Sequence, residues 1–201
     1  ILSMCGIYLS LIAFPFQQYV HIHFSNLATI LILWFYSTNF KRDFLIGNVV
    51  IAVLTAWTIG VVYFSKFTIV QLTHPTNMQS ADLRFLKLTI LYSSFAFILT
   101  LIREALKDME DMDGDGKFGC KTMPIVIGLQ KSGRIVQVIG ILSVLLLALL
   151  SILLFNSAHY FFSIYLSLST CLPLIMVIAQ VNKDATSEHY AQLSSSLKFI
   201  M

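Results

Sequence analysis

The sequence predicts an all-α fold, a polytopic bundle of transmembrane helices. Hydrophobic residues make up 57% of the 201 residues and charged residues only 11%, whereas a soluble domain carries about 25% charged residues. Four long stretches contain no charged residue at all: 1–40, 44–65, 88–102 and 135–182. Because an α-helix crosses a bilayer with about 20 apolar residues, these stretches predict membrane spans. A water-soluble globule, a disordered chain and a nucleic-acid-binding protein are therefore excluded, despite the net charge of +3.

Two of the uncharged stretches are long enough to hold two helices each. The first is interrupted by polar residues between Pro15 and Asn26, and the last by the Asn-Ser-Ala-His segment 156–159, where a tight turn is expected. We therefore predict six spans in chain order, at 2–16, 24–36, 45–64, 85–101, 135–155 and 160–181. A seventh begins near Leu193. We expect a single transmembrane domain over residues 1–201, truncated at both ends.

The basic residues of the loops predict the orientation of the chain. One side of the membrane holds three basic residues, Lys66, Arg84 and Lys87. The other side holds nine, namely Lys41, Arg42, Arg103, Lys107, Lys117, Lys121, Lys131, Arg134 and Lys183. Basic residues are enriched in cytoplasmic loops, which places the second group in the cytoplasm. The sequence thus predicts a multi-pass protein of the cell inner membrane.

An acidic cluster follows the fourth predicted span. Six of the ten acidic residues lie within twelve positions: Glu104, Asp108, Glu110, Asp111, Asp113 and Asp115. If the span continues as a helix, four of these carboxylates share one face, where like charges repel. The four are Glu104, Asp108, Asp111 and Asp115. A bound cation would relieve that repulsion, and carboxylate oxygens suit Mg²⁺ or Ca²⁺. The cluster therefore predicts a cation site at the cytoplasmic membrane surface.

A calcium-binding loop is the alternative interpretation of the same residues. Residues 111–119 fit the first half of an EF-hand loop, with oxygen ligands at positions 1, 3 and 5 and glycine at position 6. Position 12 is Thr122, however, where that loop requires a bidentate Glu. A calcium-binding membrane transporter or module consequently remains a remote alternative.

Two segments resemble the UbiA superfamily of intramembrane prenyltransferases. The pattern R-E-x-x-K-D-x-E-D-x-x-G-D-x-x-x-G-x-x-T-x-P over residues 103–124 is similar to the second aspartate-rich motif of that family. Its form is most similar to the digeranylgeranylglyceryl phosphate synthase branch. The run Y-S-T-N-F-K-R at 36–42, followed by Gly47 and Asn48, resembles the basic loop after the fourth family helix. The usual family fold has nine helices, of which about seven are predicted here, and its first aspartate-rich motif is absent from this sequence.

The resemblance implies roles for individual residues. Asp111 and Asp115 would hold a Mg²⁺ ion, with Asp108 one turn earlier as a further ligand, and this acidic set would be catalytic. The implied diphosphate-binding residues are Lys41, Arg42, Lys107 and Asn48. Mg²⁺ that bridges carboxylates and diphosphate oxygens would neutralise the charge of the leaving group.

The resemblance also implies the function and the partners. We expect Mg²⁺-dependent transfer of a geranylgeranyl-like group from a polyprenyl diphosphate to a lipid acceptor such as geranylgeranylglyceryl phosphate, within isoprenoid lipid biosynthesis. An aromatic acceptor, as in quinone or haem side-chain synthesis, is the alternative within the enzyme class. Membrane lipids are the other expected partners, without nucleic acid and without an obligate protein partner. The fragment alone is expected to be inactive.

Overall fold

The computed structural model describes residues 2–73, 80–182 and 186–200. In those ranges the chain forms helices and turns and contains no β-strand, which confirms the all-α prediction. The helices are α1 (Leu2–Ala13), α2 (Val20–Thr38), α3 (Ile46–Phe64), α4 (Ile69–Thr73), α5 (Ser80–Glu110), α6 (Met112–Lys117), α7 (Met123–Ile127), α8 (Leu129–Asn156), α9 (Tyr160–Leu166), α10 (Leu172–Gln180) and α11 (Ser187–Ile200). A 3-10 helix (Phe40–Arg42) precedes α3, and a π-helical segment (Ser167–Cys171) joins α9 to α10.

Five helical segments among the described residues are long and apolar enough to cross a membrane. They are Val20–Thr38, Ile46–Phe64, Asp82–Glu110, Leu129–Asn156 and Tyr160–Gln180, and they match the second to the sixth predicted spans. The first and seventh predicted positions hold α1 and α11, which have 12 and 14 residues. Helix α11 is polar along much of its length because it contains several serines and Lys198. Lys183 and residues 74–79 of the predicted outward loop lie outside the described residues.

The break between α1 and α2 lies at Pro15, inside the polar segment that predicted it. Proline has no backbone N–H and disfavours the continuation of a helix. A ring nitrogen of His23, Nε2, lies 3.1 Å from the carbonyl oxygen of Phe14 at the end of α1. Helix α2 begins at Val20, four residues before the predicted start, because His23 and its polar neighbours are accommodated within the helix.

The described residues group into two compact units. The first comprises Ile1–Lys41 and Val50–Phe97, and the second comprises Arg42–Val49 and Ile98–Met201. With the exception of Lys41, all the predicted site residues belong to the second unit.

Aromatic side chains pack together within the first unit. The Tyr63 ring lies 5.2 Å from the Phe67 ring and 5.4 Å from the Phe85 ring, centroid to centroid. The Trp57 indole N–H donates a hydrogen bond to Ser25 Oγ at 2.7 Å. Because tilted aromatic pairs add about 0.5–1.5 kcal/mol to the gain from burial, these contacts help to hold α3 against α2 and the start of α5.

Helices α8 and α10 approach each other closely within the second unit. The buried face of α8 consists mainly of small residues: Ser132, Gly133, Val136, Gly140, Ser143, Leu147 and Ser151. A Cβ atom added to Gly140 would lie 2.5 Å from Ile178 Cδ1, and one added to Gly133 would lie 2.1 Å from Asn182 Oδ1. Small residues allow this close approach. In lipid, where the hydrophobic effect does not drive helices together, the resulting van der Waals contacts favour their association.

The sixth span is irregular near its middle. Its π-helical segment ends two residues before Pro173, and proline disrupts the hydrogen bond to the carbonyl four residues earlier. π-Helical turns are often found where the regular hydrogen bonds of an α-helix are interrupted, as they are at this proline. Ser151 of α8 lies 2.9 Å from Ser163 and 2.8 Å from Ser167, hydroxyl to hydroxyl. These polar contacts link α8 to the first half of the span.

Helix α5 extends further than the fourth predicted span. It covers Ser80–Glu110, so it carries the chain beyond its apolar section and directly into the acidic cluster. The end of α5 therefore sets the position of the candidate site.

Candidate functional site

The acidic cluster lies at the junction of α5 and α6. The Asp111 amide donates to the Lys107 carbonyl oxygen, and the Asp115 amide donates to the Asp111 carbonyl oxygen, both at 2.9 Å. Between these bonds the backbone at Asp111 has φ −88° and ψ 1°, which separates the two helices. The expectation of one helix through all four carboxylates is therefore wrong. Like-charge repulsion among the neighbouring carboxylates favours an interruption at this point.

Asp108 and Asn48 are brought together, although 60 residues separate them in the sequence. The Asn48 side-chain amide donates to Asp108 Oδ2 at 2.7 Å. Asn48 is buried, at 9% exposure, in the first turn of α3. A hydrogen bond to a carboxylate is stronger than one between neutral groups, so this contact fixes the orientation of the Asp108 carboxylate.

The basic segment and the chain after the acidic cluster also meet within the second unit. The Lys121 amide donates to the Arg42 carbonyl oxygen at 2.8 Å. The side chains of Arg42 and Lys107 are exposed, as diphosphate-binding groups must be before they bind. Lys41 belongs to the 3-10 helix, but its side chain lies outside the described part of the structure.

The backbone before Asn48 is conformationally strained. Leu45 has φ 57°, a left-handed conformation that is uncommon for residues other than glycine. The Val49 amide nevertheless donates to the Leu45 carbonyl oxygen at 3.0 Å. This hydrogen bond connects Leu45 to the first turn of α3. Strain of this kind persists where surrounding contacts fix the backbone, and here it sets the direction in which α3 presents Asn48.

The donor set of the acidic cluster suits a hard cation that also binds a phosphate ligand. In the described part of the chain, no group of three or more His, Cys, Asp or Glu side chains is placed to hold a metal ion. Mg²⁺ is usually bound by one or two carboxylates together with substrate phosphates and water. Asp111 and Asp115 supply carboxylate oxygens one helical turn apart, which fits that requirement and does not fit an all-protein cage.

The conformation of residues 111–122 differs from that of an EF-hand loop. Met112–Lys117 forms helix α6, so side chains two positions apart point in different directions instead of converging on one ion. Thr122, at position 12, is buried with 3% exposure and occupies the N-cap position of α7. The geometry thus gives no support to the calcium-loop alternative.

Two serines of α11 contact the acidic cluster and were not identified from the sequence. Ser187 and Ser194 both donate hydrogen bonds to Glu110, which lies immediately before Asp111. Serines are common in α11 and no motif distinguishes these two. Their separation from Glu110 by 77 and 84 residues explains why sequence reasoning missed them.

Comparison with known proteins decides the family. The model of the UbiA prenyltransferase family matches residues 1–198. The chain belongs to the UbiA prenyltransferase family. The two motifs that suggested the resemblance are thus found in a chain that matches the family along almost its whole length.

Several relatives carry the same name, digeranylgeranylglyceryl phosphate synthase. The relative from Methanosphaera stadtmanae is 29% identical over 155 residues, which cover 77% of this chain and 46% of the relative. That from Korarchaeum cryptofilum is 29% identical over 199 residues, 98% of this chain and 61% of the relative. That from Saccharolobus solfataricus is 31% identical over 119 residues, 58% of this chain and 36% of the relative. These relatives support the expected branch of the UbiA family, and the chain spans about half of their length.

A solved structure has the same fold. It belongs to work described as structural and mechanistic insights into the biosynthesis of digeranylgeranylglyceryl phosphate synthase in membranes. The TM-score is 0.65 at 23% identity, and the match covers 100% of this chain and 62% of the other. The helical bundle of this UbiA-family chain is therefore the fold of a known intramembrane enzyme.

Proposed function

We propose that the protein to which this chain belongs transfers a geranylgeranyl-like prenyl group from a polyprenyl diphosphate to a glycerophosphate lipid acceptor. The observation that carries the proposal is the acidic α5–α6 junction in a chain of the UbiA prenyltransferase family. The shared name of the relatives supports the lipid acceptor. Since the chain spans only part of those relatives, the activity is proposed for the complete protein.

The residues of the α5–α6 junction would bind and orient the diphosphate. Asp111 and Asp115 would hold Mg²⁺, and Asp108, fixed by Asn48, would support them from the preceding turn. A divalent cation held there would supply positive charge to stabilise the diphosphate leaving group. Arg42 presents a planar fork to phosphate oxygens, while Lys41 and Lys107 act as point charges.

The proposed reaction takes place at one face of the membrane, where a polar and an apolar part of the donor can both be bound. The candidate spans are apolar, as a prenyl chain requires of its surroundings, and the charged groups lie at the end of one of them, α5. We place this end in the cytoplasm because most basic loop residues lie on the same side. A water-soluble diphosphate group and a lipid-soluble chain can thus bind at one boundary.

The test is prenyl transfer by the full-length protein in detergent. The donor is radiolabelled geranylgeranyl diphosphate with Mg²⁺, and the acceptors are geranylgeranylglyceryl phosphate and an aromatic acid. We expect transfer to the glycerophosphate lipid, and a loss of about 100-fold or more in Asp111→Asn and in Asp115→Asn. Asparagine keeps the size of the side chain but removes the charge that a cation requires.

Asp113→Asn is the matched control, since Asp113 is exposed and lies in the same cluster between the two proposed ligands. It should keep wild-type transfer. Transfer only to the aromatic acid would replace the proposed acceptor class. Transfer that survives both ligand substitutions would contradict the proposed metal site, and an inactive wild-type protein would contradict the function.

A further inference from the structure

Helix α11 contacts Glu110, the last residue of α5, at two points. The Ser187 hydroxyl donates to the Glu110 carbonyl oxygen at 2.9 Å, and the Ser194 hydroxyl donates to Glu110 Oε2 at 3.3 Å. Ser187 and Ser194 are seven residues apart and so lie on the same face of α11. Both the backbone and the side chain of Glu110 are thereby held by an element distant in sequence.

Helix α11 provides a firm support for these two serines. Tyr190, Leu193 and Leu197 lie on or beside the same face and are 2%, 3% and 0% exposed. Residues buried to this extent are closely packed and resist displacement. These buried side chains fix the position of α11, which carries Ser194, itself 6% exposed, and the exposed Ser187.

The Ser187 contact acts on the peptide group that joins Glu110 to Asp111. The carbonyl oxygens at the end of a helix lack partners within that helix, and Ser187 supplies one for Glu110. The other end of the same peptide group, the Asp111 amide, donates to Lys107 at 2.9 Å. Because a peptide group is planar, hydrogen bonds at both ends fix its orientation and hence the direction of the chain at Asp111.

We propose that Ser187 and Ser194 are positioning residues for the cation site. Through Glu110 they set the orientation of Asp111 at the point where α5 ends and α6 begins. This role of the serines rests on the proposed function, in which Asp111 binds a divalent cation. Neither serine touches that cation, so their effect is on the geometry of a ligand.

The test compares serine variants of the full-length protein in detergent. The double variant Ser187→Ala/Ser194→Ala removes both hydroxyls, and Ser187→Thr/Ser194→Thr keeps them. Ser196→Ala is the matched control, because Ser196 is exposed and its hydroxyl donates to the Gln192 carbonyl oxygen within α11 at 2.9 Å. Two quantities are measured: hydrogen exchange of the peptide covering residues 105–118, and Mn²⁺ affinity with inorganic diphosphate by electron paramagnetic resonance.

We expect the double alanine variant to exchange faster in this peptide and to bind Mn²⁺ about tenfold more weakly. The threonine variant and Ser196→Ala should match the wild type in both measurements. Unchanged Mn²⁺ affinity in the double alanine variant would overturn the proposal, whether or not exchange becomes faster. A wild-type protein that binds Mn²⁺ but transfers no prenyl group would contradict the proposed function alone, since the serine comparison would stand on the Mn²⁺ data.

Discussion

The hydrogen bond between Asn48 and Asp108 joins the start of α3 to the last turns of α5. Asn48 is buried and its amide lies 2.7 Å from Asp108 Oδ2. Two roles for Asn48 can therefore be separated by experiment. It can orient the carboxylate of Asp108, as the contact indicates, or it can bind the diphosphate directly, as the family resemblance implied.

Replacement of Asn48 by Ala should destabilise the protein and weaken its use of metal. The Asp108 carboxylate loses a donor while it stays partly buried, which costs about 1–3 kcal/mol. We expect a lower melting temperature and a higher Mg²⁺ concentration for half-maximal prenyl transfer. The measurements are a thermal-shift assay and a Mg²⁺ titration of the transfer rate.

Asn156→Ala is the control for this substitution, since Asn156 is exposed at the far end of α8. It should leave both quantities unchanged. If Asn48→Ala instead raises the KM for the prenyl diphosphate and leaves the Mg²⁺ requirement as it was, direct diphosphate binding is the correct role.

At the scale of residues, spacing within one segment could be predicted and contacts between segments could not. The D-x-x-x-D spacing of Asp111 and Asp115 is visible in the sequence because both lie in one turn of chain. To predict the Asn48–Asp108 contact, both residues would have to be placed on their separate helices, and the positions of these helices along the membrane normal would have to be known. Ser187 carries no motif at all, so only the packing of α11 reveals its contact with Glu110.

Among the elements, the close contact of α8 with α10 is the most sensitive to a change in size. A Cβ atom on Gly140 would lie 2.5 Å from both Cγ1 and Cδ1 of Ile178, which is well inside van der Waals contact. We expect Gly140→Ala to lower stability by about 1–3 kcal/mol, because overpacking forces the helices apart or Ile178 out of its rotamer. Thermal unfolding in detergent measures this loss.

Two further variants decide whether the contact causes the loss. Gly6→Ala is the control, since Gly6 lies in α1 and a Cβ added there meets no described atom within 4 Å beyond its chain neighbours and its own helix backbone, and it should not destabilise. Ile178→Ala in the Gly140→Ala background should recover part of the lost stability, as expected of directly coupled residues. Additive losses in that double variant would show that Gly140 acts in another way.

Hydropathy predicted the elements well where they are long and uniform. The absence of charge alone predicts the span of α3, and the absence of charge together with the polar segment 156–159 predicts the span of α8. The ends of helices were harder, because they depend on local contacts: His23 satisfies the carbonyl of Phe14, and α5 runs on to Glu110. The division at Asp111 was missed because the helical pattern of carboxylates continues across it, while its backbone conformation does not.

For the whole molecule, the distribution of basic residues predicts which face meets the cytoplasm. Cys120 follows the acidic cluster, and Ser157 lies in the turn between α8 and α9. With the proposed orientation these residues are on opposite sides of the membrane. Single-cysteine proteins therefore test it directly.

A membrane-impermeant maleimide applied to intact cells should label a Ser157→Cys variant that lacks the other cysteines. A protein whose single cysteine is Cys120 should react with the maleimide only after the cells have been permeabilised. The opposite pattern would invert the topology and place the acidic cluster outside. Labelling of both proteins in intact cells would show that the maleimide had entered, and a less permeant reagent would then be required.

The bond between Ser187 and Glu110 also affects when the site can mature during synthesis. Ribosomes add about 5–20 residues each second, so the 77 residues between the two partners take about 4 to 15 seconds to make. Throughout that interval the acidic turn has left the ribosome, or is leaving it, without its support from α11. With the proposed role of Ser187, a nascent chain would gain the fixed orientation of Asp111 only after α11 has been made and has packed, so the proposed cation site would form after its own carboxylates have been synthesised.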